Sequence, residues 1–417
     1  MTIWFFAGLE NYYDTNAILL HSLCLLTMQL FNKPARIIIT CNKRLSVYLE
    51  KEVKELGFKI LQTFSTGVEL IGTLHDCIKL NLNLRCASQV LYSLKSFLCN
   101  SPAELYDSAF KIDWENIIVK DGYFSVTSTI DHPTINNSLF ANVKVKDAIV
   151  DRFRQKIQVR PNSGSDLKNT VIHLFWKNEV AEIFIDTSGE TLAKHGYRKI
   201  PGKAPMLEAL ATGTLMATNW NRQSVFINPM CGSATVAIEA ALLATNRRPG
   251  LFRDNYGFKH ILGFDENSYE KEKRKLTAQV IDLPQLRIMA SDISADAINI
   301  SRINAGAAGV EKLIEFEVCD FRDLVIPEIE PGVIYFNPEY GERLGNLDEL
   351  EDTYAQIGDF MKKKCKGYTG YVFTGNLELA KKIGLKAKRR IEFYTSKIDC
   401  RLLEFELYSG TKRSDKL

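Results

Sequence analysis

The chain has no C-x-x-C pair, no His/Asp/Glu cluster at metal-ligand spacing and little net charge. Its nine cysteines are scattered irregularly, which argues against a structural zinc site and a disulfide framework. No metal is expected, and unpaired cysteines fit a reducing, cytoplasmic compartment. Lys and Arg total 53 against 50 Asp and Glu, a net charge of +3, so any nucleic-acid contact must use local patches. The most apolar stretch, residues 16–31 (NAILLHSLCLLTMQLF), is short of the roughly 20 residues a membrane helix needs. It contains His21, Ser22, Thr27 and Gln29, and no basic segment precedes it, which argues against a signal peptide. A buried helix is expected there. Repeats and low-complexity tracts are also missing.

What is present is ordinary globular material: 417 residues, 46% apolar and 25% charged, enough for two or three domains. The N-terminal half reads as α+β units with antiparallel strands. Residues 36–41 (RIIITC) are strand-like. Residues 45–56 have helical spacing with Gly57 as a stop, and residues 77–97 contain another helical stretch. A strand is expected at 124–130, a helix at 143–153, a loop at RPNSGS, and a hairpin from 171–175 and 182–186. Between residues 144 and 160 lie Lys144, Lys146, Arg152, Arg154, Lys156 and Arg160, with only Asp147 and Asp151 opposing them. This run predicts either one basic helix face or a solvated helix. Residues 187–205 form a polar connector, rich in Gly, Lys and Arg, where a domain boundary is placed.

The C-terminal half alternates short apolar runs (224–228, 286–291, 314–319, 332–337, 368–374) with helical stretches (235–245, 295–308, 347–364, 377–383). That alternation predicts an α/β, doubly wound, mostly parallel sheet. Segments 389–396 and 400–407 have no helix between them and should form an antiparallel hairpin at one sheet edge.

The chemistry is expected at the strand ends. The first strand runs into Asn228, Pro229, Cys231, Gly232, Ser233 and Ala234, and a helix starts near Thr235. Such a turn brings backbone N–H groups and a positive helix end to a ligand. The second strand ends in Asp292-Ile293, an acid placed to face a ribose diol. The third ends in Asp320-Phe321, suited to an adenine amine. Singly, each Asp is better read as a helix N-cap; the ordered set points to a nucleotide-like ligand. The fourth strand ends in Asn337-Pro338-Glu339-Tyr340. The Asn337 side-chain carbonyl and the Pro338 main-chain carbonyl are placed to accept hydrogen bonds from an exocyclic base amine. That draws its delocalised lone pair out of the ring and toward a methyl donor. Tyr340 is expected to stack on the base, taken out of any helix. Taken alone, the four residues would be a turn with a buried Tyr.

From residue 36 onward the chain resembles the THUMP-domain, class I S-adenosylmethionine-dependent RNA methyltransferases of the large-subunit rRNA guanine-N2 type, the RlmL-like family. The segments carrying the resemblance include 84–97 (LRCASQVLYSLKSF), 186–192 (DTSGETL), 195–198 (HGYR), 204–211 (APMLEALA), 228–241 and 337–345 (NPEYGERLG). The resemblance implies an N-terminal α+β ferredoxin-like part (36–75), a THUMP RNA-binding domain (76–186), a linker (187–205) and a Rossmann-like methyltransferase domain (206–417). Residues 1–35 would be an extension. It further implies S-adenosylmethionine as cofactor, structured RNA (23S rRNA) as partner, and methylation of guanine N2. The basic run 144–160 then falls within the THUMP domain and would contact phosphates. Four positions depart from the family pattern: Asn228 for Asp, Ala234 for Gly, Glu339 for the second Pro of N-P-P-Y, and Leu207 for Lys. The Ala234 methyl is expected where the cofactor approaches. These departures keep open a non-catalytic RNA-binding or ribosome-assembly role. The N-P-x-Y chemistry by itself leaves adenine N6 as an alternative target. His195 is expected to be structural.

Overall fold

A computed structural model describes residues 30–133, 135, 137–341, 347–395 and 398–408. The apolar stretch 16–31 and the proposed extension 1–35 lie almost entirely outside the described residues. Two sheets organise the chain.

The first sheet has eight strands: β1 Ala35–Thr40, β2 Ile60–Phe64, β3 Gly67–Gly72, β4 Gln89–Leu98, β5 Tyr123–Asp131, β6 Asn162–Gly164, β7 Thr170–Lys177 and β8 Val180–Asp186. Their order is β2-β3-β1-β4-β8-β7-β5-β6. The expected antiparallel pairing holds from β2 to β7. It fails at one edge, where β5 runs parallel to both β7 and β6. The long helix Ser138–Ile157 provides the crossover that parallel neighbours need. The strand β6 forms inside the RPNSGS segment, which sequence alone marks as loop.

Residues 77–97 are also corrected. A helix does run from Leu74 to Asn83, opened by a Thr73/Asp76 capping box. Beyond it the chain turns extended and becomes β4. Glu52 accepts the backbone N–H groups of Arg85 (3.1 Å) and Cys86 (2.9 Å), and Ser88 N donates to Thr40 O at 2.7 Å. Pairing with β1 and β8 then fixes the strand. These long-range bonds override a local apolar spacing compatible with helix.

The second sheet holds β9 Phe226–Pro229, β10 Ile288–Asp292, β11 Ile314–Val318, β12 Val333–Phe336, β13 Thr369–Thr374, β14 Arg389–Thr395 and β15 Ile398–Glu406. The order is β11-β10-β9-β12-β13-β15-β14. Strands β9 to β13 are parallel, and β15 and β14 close one edge antiparallel, as expected. The helix Glu266–Ala278 is an element that the apolar pattern did not reveal: only Tyr269 and Leu276 along it are buried.

The two sheets share one core, running from Ile37 and Leu49 through Ala211 and Ala241 to Phe393 and Leu402. All ten residues of the helix Thr235–Ala244 are buried, including Glu239. Arg85, 2% exposed, donates to the Leu242 carbonyl (3.5 Å) near the end of that helix and to Arg247 O (2.6 Å). A cation at a helix C-terminus is favourable, and this one comes from the N-terminal half.

Candidate functional site

The carboxyl ends of β9, β10, β11 and β12 open on one cleft. The turn after β9 needs left-handed backbone at Met230 (φ 53°), Gly232 (φ 57°) and Ala234 (φ 55°). It is tied to its neighbours: Cys231 N donates to Ser291 O (2.9 Å), Gly232 N to Asp292 Oδ2 (2.9 Å), and Ser301 Oγ to Gly232 O (2.9 Å). Asp292 also accepts from Ser294 N at 3.0 Å, so one carboxylate braces both turns. Each of its oxygens keeps a lone pair for a further donor.

The cleft encloses about 710 Å³ and is lined by Asn228, Cys231, Gly232, Ser233, Thr235, Asp292, Ile293, Asp320, Phe321, Asn337 and Pro338, among others. The residues expected at the four strand ends therefore meet in one place. Of the residues expected to hold a cofactor, two do not reach it. Pro229 is buried and Ala234 is fully buried in the core; neither lines the cleft. The expectation for Ala234 is thus corrected. Its methyl group points away from the ligand space, and its cost is the left-handed backbone, about 1 kcal/mol for a non-Gly residue.

Asn228 is 1% exposed. Its Nδ2 donates to Tyr335 O at 2.9 Å, while its Oδ1 has no hydrogen-bond partner. A buried orphan acceptor is costly, so an ammonium or amide donor from a ligand would be well received there. Asp320 is less free. Arg322, hydrogen-bonded to it through Nε (2.9 Å) and Nη2 (2.5 Å), holds its carboxyl below the usual range.

Sequence reasoning missed one wall of the cleft. Gly202, Lys203, Ala204, Pro205 and Met206 line it, although the segment reads as a polar connector. Much of that connector is buried: Thr187, Ser188, Leu192, Ala193, His195 and Tyr197 are at most 3% exposed. Arg198 bonds to Glu208 Oε1 (3.0 Å), Met206 O (2.8 Å), Ser233 Oγ (3.2 Å) and Thr235 Oγ1 (3.0 Å), joining this wall to the turn. Asn304 holds it from the other side, accepting from Lys199 N (2.9 Å) and donating to Ile200 O (2.9 Å).

A second, smaller cavity of about 110 Å³ abuts the cleft. Ala204, Pro205, Met206, Asn337, Pro338, Glu339, Tyr340, Gly341, Phe373, Thr395 and Ile398 line it. Asn337 to Glu339 border both spaces. The Tyr340 ring lies so close to Gly375 that a Cβ there would sit 3.0 Å from Tyr340 Cε2. It would also sit 2.8 Å from Ile398 Cγ2, so a larger residue at 375 would have to displace these side chains.

His195 is structural, as expected, and its surroundings are specific. Nδ1 lies 2.8 Å from Glu239 Oε1 and Nε2 lies 2.8 Å from Arg85 O, all fully or nearly fully buried. Burial alone would lower the imidazole, but Glu239 outweighs it and raises His195; the same pairing, against burial, lowers Glu239. Both ring nitrogens face acceptors, which fits an imidazolium. Thr212 completes the group, donating to Glu239 Oε2 at 2.7 Å.

The basic run does not form one uniform face. Arg152 is engaged by Asp113 and by Glu115 (2.7 Å), Lys146 by Asp147 (2.7 Å) and Arg154 by Asp151 (3.5 Å). Lys144 lies over the Phe140 ring at 5.6 Å, and Lys156 and Arg160 are exposed. Arg152 is therefore spent on internal structure, because Asp113 and Glu115 arrive from a segment distant in sequence. Among the described residues no group of three or more His, Cys, Asp or Glu side chains is arranged to hold a metal ion, and no helix is long and apolar enough to cross a membrane.

With this geometry in place, the chain can be set beside known proteins. Residues 195–404 match the family described as the RMKL-like methyltransferase domain, and the chain belongs to that family. Residues 36–91 match the RlmL ferredoxin-like domain and 99–186 the THUMP domain. Among curated proteins it is 36% identical over 372 residues to a protein of Psychromonas ingrahamii named ribosomal RNA large subunit methyltransferase K/L, covering 88% of this chain and 49% of that one. A protein of the same name from Syntrophotalea carbinolica is 33% identical over 385 residues, covering 90% and 54%. The chain thus spans about half the length of the curated relatives it matches. Among solved structures, a protein from Clostridium difficile 630 described as a methylase superposes with a TM-score of 0.82 at 28% identity, covering 91% of this chain and 100% of that one. SMU.472, described as a methyltransferase complexed with SAH, superposes with a TM-score of 0.82 at 25% identity and the same coverage. A Listeria monocytogenes protein described as an N6-adenine-specific DNA methylase superposes with a TM-score of 0.80 at 27% identity, covering 90% and 97%.

Proposed function

We propose that this protein is an S-adenosylmethionine-dependent RNA methyltransferase acting on N2 of a guanine in large-subunit (23S) ribosomal RNA, and hence in the cytoplasm. The observation that carries the reading is the meeting of two cavities at Asn337 and Pro338. One has the size and polar groups for a nucleoside cofactor, and the other has the size for part of a base. The residue set fits the cofactor: Asn228 Oδ1 is a buried acceptor awaiting the amino group of the methionine moiety, Asp292 retains acceptor capacity for the ribose diol, and Phe321 and Ile293 offer apolar cover. The Asp320 carboxylate would be shared between the adenine amine and Arg322, both of which donate to it.

When bound, S-adenosylmethionine supplies an electrophilic methyl group. Asn337 Oδ1 and the Pro338 carbonyl accept the two amine hydrogens of the base, localising the nitrogen lone pair and orienting it toward the cleft. Tyr340, seated on Gly375, provides an aromatic face beside that position. The THUMP match and the names of the curated relatives support structured ribosomal RNA as substrate. Of the basic run, the exposed Lys156 and Arg160, with Lys144, would meet phosphates.

Mass spectrometry of nucleosides from large-subunit RNA of a deletion strain tests this reading: N2-methylguanosine should fall by one site and return on complementation. An unchanged nucleoside profile would remove the proposal. The Listeria neighbour's description favours a second reading, N6-methylation of adenine, which the same profile separates. A non-catalytic role would instead show as no S-adenosylmethionine binding in calorimetry.

A further inference from the structure

The small cavity is apolar apart from a few groups, and its lining contains one charged side chain, Glu339. Its other polar side chains are Asn337, Tyr340 and Thr395. Glu339 is exposed and also borders the larger cleft, as Asn337 and Pro338 do. Glu339 therefore directly follows Pro338 and lies two residues from Asn337, at the border the two spaces share.

Three bases carry an exocyclic amine. In adenine and cytosine the unsubstituted ring nitrogen next to the amine-bearing carbon, N1 and N3 respectively, holds a lone pair. In guanine the corresponding Watson–Crick-edge nitrogen, N1, carries a hydrogen, while N3, on the other side of the amine-bearing carbon, holds a lone pair, so the Watson–Crick edge is the one turned toward Glu339. A carboxylate only accepts hydrogen bonds. Once the amine is seated on Asn337 and Pro338, Glu339 meets either a donor or a lone pair on the same edge. A charge-assisted bond forms in the first case, and electrostatic repulsion arises in the second. Both guanine donors lie on its Watson–Crick edge, so the base must be unpaired to present them.

We propose that Glu339 is a specificity-determining residue that selects guanine over adenine and cytosine by accepting its N1–H. This rests on the guanine-N2 reading above and gives this chain, where the family pattern has Pro, an acceptor for N1–H that Asn337 and Pro338 do not provide.

The test uses the full chain, S-adenosylmethionine and two transcripts of the modified rRNA segment, one with guanine and one with adenine at the methylated position. Wild type should methylate the guanine transcript and reject the adenine one. Glu339→Ala should lower kcat/KM at guanine by about ten- to a hundredfold, the weight of a charge-assisted hydrogen bond. Glu339→Gln keeps an acceptor for guanine N1–H and gains an N–H that adenine N1 accepts. It should retain more guanine activity than the Ala variant and raise the adenine-to-guanine ratio about tenfold or more. A substrate-dependent ratio is not something a general loss of packing would produce. If both variants leave the ratio at the wild-type value, the inference is wrong while the guanine-N2 reading stands. If wild type itself modifies adenine or neither transcript, the guanine-N2 reading fails, and this inference falls with it.

Discussion

The two sheets differ in direction more than in size. In the C-terminal sheet β9 to β13 all run the same way, so their carboxyl ends gather at one edge. Asn228, Asp292, Asp320 and Asn337, scattered over more than a hundred residues of chain, become neighbours for that reason. In the N-terminal sheet the strands from β2 to β7 reverse at each step, so their ends split between two edges and no single crevice results. A polar residue at a strand end has a predictable address in a parallel sheet and lacks one in an antiparallel sheet. The N-terminal half is instead tied to the second sheet's helix through Arg85, which donates to the Leu242 and Arg247 carbonyls.

The largest expected effect strikes the parallel sheet alone. Asn337→Ala should lower kcat by about 10²- to 10³-fold, comparable to loss of one preorganised polar group at a reacting centre. Unfolding midpoint and RNA affinity should stay unchanged. A matching fall in RNA binding would blur the division of labour between the halves.

The next effect tests whether the halves are one unit. His195→Ala leaves Glu239 buried without its ionic partner. Breaking such a pair costs about 3–5 kcal/mol, and the shared core predicts one unfolding transition, not two, in urea monitored by fluorescence and circular dichroism. Two separated transitions would show independent domains.

A smaller effect distinguishes the halves by pH. His173 on β7 is contacted by the hydroxyls of Thr127 (2.9 Å) and Thr129 (3.3 Å), and burial lowers its imidazole to about 4. As pH falls below the ordinary value, about 6.5, the unfolded chain takes up this proton before the folded one does. Stability of the whole unit should drop between about 6.5 and about 4 and be insensitive to this group above that window. His195 has the opposite sign: its raised value contributes stability fully present below the ordinary histidine range and lost as pH rises through the folded value. Urea midpoints against pH for His173→Gln and wild type should diverge in the acidic window.

The smallest effect concerns Ala234→Gly. Relief of the left-handed backbone and loss of a buried methyl group, each about 1 kcal/mol, should nearly cancel. Cofactor affinity should stay within about twofold by calorimetry, since the methyl group faces the core. A large gain in affinity would restore the cofactor-side placement that sequence suggests.

The parallel half was legible because short apolar runs, each ending in a polar residue, survive as strands wherever helices cover both faces. The N-P-x-Y corner and the closing hairpin followed from the same reading. Residues 203–206 were not legible as a wall, because a polar, Gly- and Lys-containing segment looks like linker until Arg198 and Asn304 pin it. The helix Glu266–Ala278 hides for a related reason: with two buried residues it has almost no apolar stripe. In the N-terminal half, the helical stretch expected within residues 77–97 stops at Asn83, because the bonds from Glu52 and Thr40 that extend the residues beyond it come from far along the chain. The basic run leaves a basic face and a solvated helix both open in the sequence, since Asp113 and Glu115 engage Arg152 from a distance no local count includes.

One measurement bears most directly on the central claim. Large-subunit RNA lacking the modification is incubated with methyl-labelled S-adenosylmethionine and the protein, digested to nucleosides and resolved by mass spectrometry. Label should appear in N2-methylguanosine with wild type and be lost with Asn337→Ala. Label in N6-methyladenosine, or no label with a folded protein, would contradict that claim.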